Sequence, residues 1–371
     1  MNIIDYIDWR GDITFGERDL NEVDNLIFST LTYLKMDGLI PEQGISIRAM
    51  YELCVEDGIQ NTGLLNDPLP LLKKAACSAR FGNVIISDYV NTVDTDRQIQ
   101  FAAAAYRYSP GKTYIAFRGT DNTIVGWRED MNFSLLGNTP GQLLAAEYID
   151  TLAGKSGDSI IVGGHSKGGN FAVYGAAFCG EKAKAGISKV YSNDGPGFNR
   201  GLVSTDEYAS VIDRVEKIIP ESSLVGILLS SKARRKVITS SGKGIMQHDP
   251  FTWNVVGTRF AEADERSAAS VFMDDTLNSW VATLSEENLR VLVNTVFGTL
   301  ESTGALTLTE LNDNKWKAYN AILKAMARID PDSRNEVFAI FLKLLSSGKD
   351  TVVSETRKLI EKYFPAEKAI E

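Results

Sequence analysis

One serine in this chain stands where a nucleophile can be built, and only two histidines exist to activate it. The segment Ser159-Ile-Ile-Val-Gly-Gly-His-Ser-Lys-Gly-Gly-Asn170 contains the pentapeptide G-x-S-x-G as Gly164-His165-Ser166-Lys167-Gly168. Alone the pentapeptide is weak, because glycine-rich turns between a strand and a helix are common. Its flanks strengthen it: an apolar strand pattern runs in, and a helical pattern with Ala172, Val173 and Ala176 runs out. That is the strand–turn–helix of a nucleophile elbow, which holds a serine at a sharp turn beyond a strand's C-terminal end. Gly164 and Gly168 suit it, since a side chain at either is expected to collide across the turn. The following helix offers backbone N–H groups to a developing oxyanion.

The base is found by elimination. Neighbouring side chains diverge at an elbow, so His165 cannot easily reach Ser166 and is expected to pack beneath the turn. That leaves His248, in Gly244-Ile-Met-Gln-His-Asp-Pro-Phe-Thr-Trp253, after the last predicted strand. The competing reading is an ordinary surface-loop histidine. A carboxylate should orient His248 and stabilise its imidazolium. Asp194, in Tyr191-Ser-Asn-Asp-Gly-Pro-Gly-Phe198, and Glu221, in Ile218-Ile-Pro-Glu-Ser-Ser-Leu-Val225, both fit the chain order serine, acid, histidine. Asp194 is preferred, because the turn at Gly195 and Gly197 would hold a short carboxylate rigidly. Asp249 reads as a turn residue.

The elements around these residues alternate. Strand-like runs cover Val84–Ser87, Gln98–Tyr106, Thr113–Phe117, Ser159–Val162, Ile187–Ser192, Val215–Ile219 and Lys236–Thr239. Helices are predicted to open at Thr139-Pro140 and to run from about Lys167 to Gly180. Apolar strands separated by helices indicate a parallel α/β sheet. The second and third runs, joined by Ser109-Pro110-Gly111, read instead as a hairpin at its start. Residues 1–75 look helical, with Asn21 capping one helix and another following Ser46. Past residue 255 strands vanish; amphipathic helices are expected around Leu289–Leu300, from Thr307 past Met326, and at Arg334–Leu345 and Thr351–Tyr363. The expected division is therefore a helical segment at 1–75 packed on the core, an α/β core at 76–255, and a helical appendage at 256–371.

Composition narrows the function classes. The 39 basic and 48 acidic residues give a net charge of -9, and the densest basic stretch, Lys232-Ala233-Arg234-Arg235-Lys236, is too short for a phosphate-backbone footprint. Nucleic acid is not expected as a partner. Two histidines exclude a multi-histidine zinc site, and the lack of C-x-x-C excludes thiolate zinc sites, so no metal is expected. Cys54, Cys77 and Cys179 are widely spaced and cannot all pair, which favours a reducing compartment. Met1 to Arg10 carries two Asp and lacks the apolar run of a secretory signal, and no apolar run reaches the ~18 residues that span a bilayer. The expected location is cytoplasmic.

Further residues carry a resemblance. Phe117-Arg-Gly-Thr-Asp, then Trp127 and Asp130, then Gly-His-Ser-Lys-Gly-Gly169 resemble the class 3 (fungal-type) lipases of the α/β-hydrolase superfamily. The set G-H-S-K-G-G-N, S-N-D-G-P-G-F and Q-H-D-P-F-x-W is similar, more closely, to a bacterial lipase-like family, the Mbeg1-like proteins. The superfamily resemblance spans about residues 80–255 and implies an α/β-hydrolase fold. It also implies that Thr120 and the backbone N–H of Lys167 form an oxyanion hole, with Arg118, Trp127 and Asp130 bracing the loop. One departure stands out: class 3 lipases carry the acid in an N-D-x-V-P segment, where this chain has Ser223. Asp194 instead resembles the acid of animal pancreatic-type lipases, one strand earlier.

The expected function is a serine hydrolase cleaving a small-molecule or lipid ester, with Ser166, His248 and Asp194 as triad and no cofactor. A binding or regulatory protein on a decayed hydrolase scaffold is the rival from another class, motivated by the displaced acid. An amidase or peptidase using the same triad is the third reading.

Overall fold

The apolar runs in the middle of the chain pair into one eight-stranded sheet whose strands lie side by side in sequence order. The computed structural model describes residues 1–57, 67–121, 123–135, 138–155 and 157–268, together with 270, 271, 274, 290, 293, 294 and 297. Strands β1 (Ile45–Ser46), β2 (Ile85–Asp94), β3 (Ile99–Ser109) and β4 (Lys112–Phe117) pair antiparallel. From β4 onward the pairing is parallel, through β5 (Ser159–His165), β6 (Ile187–Asn193), β7 (Val215–Pro220) and β8 (Arg234–Ile238). The predicted hairpin is β3–β4. Two-residue β1 was not foreseen, because so short a pairing leaves no alternation to read. β2 runs to Asp94, well past its predicted end, since its outer half is partly exposed and carries polar residues.

Helices α1 (Ile3–Arg10), α2 (Glu22–Leu31), α3 (Ile47–Asp57) and α4 (Leu69–Cys77) precede β2. Between β4 and β5 lie α5 (Ile124–Leu135) and α6 (Pro140–Lys155); α7 (Lys167–Phe178) and α8 (Glu181–Gly186) follow β5, and α9 (Asp206–Val211) follows β6. These helices cover both faces of a largely parallel sheet, which is an α/β-hydrolase fold. The predicted helices beyond residue 300 lie outside the described residues, as does most of the one at Leu289–Leu300.

Two apolar clusters fix the layers. On one face Leu26, Phe28 and Leu31 of α2 pack with Tyr106, Tyr114, Ile218 and Trp253. On the other, Phe171 and Ala172 of α7 and Ile149 of α6 pack with Phe101, Phe117 and Val162. Each fully buried side chain of this size contributes roughly 1.5–3 kcal/mol. α2 is buried along its whole length, so its polar groups need partners. Asn21 caps it in a capping box with Asp24. Asp24 also takes the Arg80 guanidinium, and Asn25 bonds Asn193 at 2.9 Å. That last contact ties the N-terminal helices to the end of β6, where Asp194 begins.

Candidate active site

The elbow is held by backbone. Ser166 has φ 58 and ψ -130, a conformation that a residue with a Cβ adopts only under constraint. Its N–H donates to the Asn193 carbonyl at 2.9 Å, and its own carbonyl accepts from Gly169 N–H at 2.9 Å. A Cβ on Gly164 would lie 2.3 Å from the Gly168 carbonyl carbon, which is the collision expected across the turn. A Cβ on Gly168 would instead meet the Phe117 carbonyl oxygen at 2.0 Å. The second glycine therefore lets α7 approach the end of β4, where the Thr120 loop departs.

His248 ends a short 3-10 turn, Gly244–His248, and its Nδ1 lies 2.6 Å from Asp194 Oδ2. Asp194 is fully buried, whereas the imidazole keeps an exposed edge. The other carboxylate oxygen, Oδ1, accepts from Ser223 Oγ at 2.5 Å and from Gly226 N–H at 3.1 Å. Ser223 thus occupies the place of the displaced acid as a hydrogen-bond donor to the acid that is present. The backbone of Asp194 is itself left-handed, with φ 48, and is pinned by its N–H to the Ile218 carbonyl at 2.7 Å. Glu221 sits at the end of β7, its backbone bonded to Ile238 and Ser267. Asp249 Oδ1 accepts from Phe251 N–H, as a turn residue does. His165 is fully buried; its ring centroid is 4.5 Å from that of His248, which brings His248 to the residue preceding Ser166.

The two residues of the implied oxyanion hole are clamped by neighbours on α5. Thr120 Oγ1 donates to Asp130 Oδ2 at 2.5 Å. Lys167 is the first residue of α7, so its backbone N–H has no carbonyl one turn back to take it. Its side chain is fully buried and turns away from that N–H, with Nζ 3.0 Å from the Gln100 carbonyl and 3.2 Å from Glu129 Oε2. Glu129 also accepts from Gln100 N–H and Gly141 N–H, both at 3.0 Å. Glu129 and Gln100 are invisible in the sequence reading, because nothing in a motif announces that the lysine after a nucleophile points inward. Arg118 donates to Asn91 on β2 and to Asp121 on its own loop.

Burial pushes the Asp130 carboxyl up to about 6, against the opposing pull of Lys167 and Thr120. Between roughly pH 4 and 6 the folded protein then binds a proton that the unfolded chain has released. Asp130 therefore contributes stability below pH 4 that is lost as pH rises through 6, up to about 3 kcal/mol. Asp130→Asn is expected to abolish this loss, so the stability difference between variant and wild type should move in the variant's favour from pH 4 to 7. Urea titrations at the two pH values measure it, and a difference that stays constant rejects the assignment.

Among the described residues no three His, Cys, Asp or Glu side chains gather as metal ligands, and no helix is long and apolar enough to cross a membrane.

Comparison with known proteins gives three results. The family model described as Mbeg1-like matches residues 75–298. No functionally curated protein matches the sequence. Among solved structures the chain is similar to Rhizomucor miehei lipase in its propeptide complex, at 16% identity and a TM-score of 0.37, over 64% of this chain and 81% of that one. It is also similar to M37 lipase, at 16% identity and a TM-score of 0.36, over 54% of this chain and 68% of that one.

Proposed function

The chain belongs to the Mbeg1-like family, and on that premise we propose that it is a serine hydrolase cleaving a carboxylic ester through an acyl-enzyme. The observation that carries this reading is the 2.6 Å contact between His248 Nδ1 and a buried carboxylate, with the imidazole 4.5 Å from the ring of His165, which precedes a serine on a strained elbow. Asp194 accepts the Nδ1 proton, which leaves Nε2 as the base. Ser166 Oγ attacks the ester carbonyl while Nε2 takes its proton. The tetrahedral oxyanion is held by the backbone N–H groups of Thr120 and Lys167, an interaction worth on the order of 3 kcal/mol per donor. Nε2 then protonates the departing alkoxide, which leaves as the alcohol. Water, deprotonated by the same nitrogen, releases the acid and restores Ser166.

A decayed scaffold would have no need of a carboxylate that meets the imidazole through Oδ2 while Ser223 and Gly226 hold Oδ1, and that arrangement counts against it. The same reading gives residues 76–255 the chemistry, 1–75 a helical cover and 256–371 a helical appendage. It extends to a cytoplasmic setting, in which Cys54, Cys77 and Cys179 persist without forming disulfides.

Incubating the folded protein with a fluorophosphonate should add one adduct, mapped to Ser166 by peptide mass. An unmodified intact mass would sink the proposal. Rates on a matched ester and anilide then separate esterase from amidase action, with the ester expected to be faster.

A further inference from the structure

The two histidines are joined by more than their rings. His165 Nε2 lies 2.8 Å from the backbone carbonyl oxygen of His248, and His165 Nδ1 lies 3.0 Å from the hydroxyl of Tyr33. A carbonyl oxygen only accepts, so Nε2 must carry the proton. Nδ1 of that neutral ring then only accepts, which makes Tyr33 its donor. Burial holds the His165 pKa well below 6.5, and the nearby His248 lowers it further, so the ring stays neutral. The Tyr33 oxygen also packs against the backbone of Gly119. That approach is close: a Cβ on Gly119 would lie 2.0 Å from the Tyr33 hydroxyl.

The hydrogen bonds therefore run in one direction, from the Tyr33 hydroxyl, seated against Gly119, through the His165 ring to the carbonyl of His248. Apart from Tyr33, each station lies one residue or none from a participant in the proposed chemistry. Gly119 precedes Thr120, His165 precedes Ser166, and the last acceptor belongs to His248 itself. Tyr33 is 2% exposed and His165 0%, so water cannot replace a missing link. Tyr33 follows α2 and lies outside the residues that the family model matches.

We infer that Tyr33 is a positioning residue that, through His165, sets the spacing of the oxyanion loop, the elbow and the loop bearing His248. This rests on the hydrolase reading of Ser166 and His248. With its hydroxyl absent, His165 Nδ1 loses its donor and the Gly119 backbone loses the atom it packs against, so the three loops lose their common reference. A misplacement on the order of 1 Å at a reacting centre costs about 100-fold in rate.

The test uses Tyr33→Phe in the full chain, which keeps the ring and removes only the oxygen. The expected result is a kcat on an activated ester lowered about 100-fold, with KM within about twofold. Nitrogen-15 NMR supplies a readout independent of turnover, because the chain has only two imidazoles to assign. Wild-type His165 should appear as the Nε2–H tautomer, with its Nδ1 resonance shifted by a donor. In the variant that resonance should move to the position of an unbonded acceptor. An Nδ1–H tautomer in the wild type overturns the proposal before any variant is made, even if Tyr33→Phe fails to fold. An unchanged kcat overturns it too, as does a kcat loss with unaltered His165 resonances. If the wild type takes no fluorophosphonate while His165 shows the expected tautomer, the failure lies with the hydrolase reading and not with the hydrogen-bond chain.

Discussion

Alanine at position 166 is expected to lower kcat by on the order of a millionfold while leaving the protein folded. The chemical loss is large because the attacking oxygen itself disappears, and no other hydroxyl stands on the elbow. The structural loss is small because backbone groups hold the turn: Ser166 N–H on Asn193, and Gly169 N–H on the Ser166 carbonyl. Ser166→Gly sharpens the separation. It removes the same oxygen but relieves the positive φ of 58, so it should be more stable than the wild type by about 1 kcal/mol. Single-turnover hydrolysis and thermal unfolding of both variants check the pair. Wild-type rates in Ser166→Ala would end its assignment as nucleophile. A glycine variant no more stable than the alanine one would show that the elbow is not strained.

Asp194→Asn is expected to cost about 10⁴-fold in kcat, for a reason that its surroundings specify. Ser223 Oγ and Gly226 N–H both donate toward the Oδ1 position. An asparagine must therefore put its carbonyl oxygen there and turn its NH₂ toward His248. Facing a donor, His248 Nδ1 has to accept, which shifts the imidazole proton to Nε2 and blocks that nitrogen as a base. Glu221→Gln should leave kcat within about twofold, because the carboxylate bonded to the imidazole is that of Asp194. Steady-state kinetics of the two variants decide the matter, and a reversed order of losses would transfer the role to Glu221.

The parallel strands were legible because β5, β6 and β7 are mostly buried and carry short clusters of branched and aromatic residues between helical patterns. The elbow was legible because its glycines, its strand and its helix are contiguous in sequence. His248 was reached by scarcity rather than by pattern. Asp194 is preferred to Glu221 in the sequence only through its glycine turn; that Asp194 bonds His248 is a matter of side-chain direction that no spacing encodes. The supporting residues were out of reach for a different reason. Tyr33 meets His165 across 132 positions, and Lys167 meets Glu129 across 38. Such contacts leave no local period or spacing to detect. Ser223 was noticed only as the place of a missing acid; that its hydroxyl donates to the acid one strand away is a fact of packing.

The full burial of α2 also constrains how the molecule is made. Asn25 bonds a residue 168 positions later, and Glu22 pairs with Lys236, 214 positions later. On a ribosome adding about 5–20 residues per second, α2 emerges many seconds before the strands that will cover it exist. Its apolar side must wait exposed, and the loop that finally closes over it is long and slow to form. Strand β8 supplies Lys236 to Glu22, and Phe260, later still, donates its N–H to the same carboxylate and completes the enclosure. The candidate site therefore comes into being late, after most of the sheet has been synthesised, and from both ends of the fold at once.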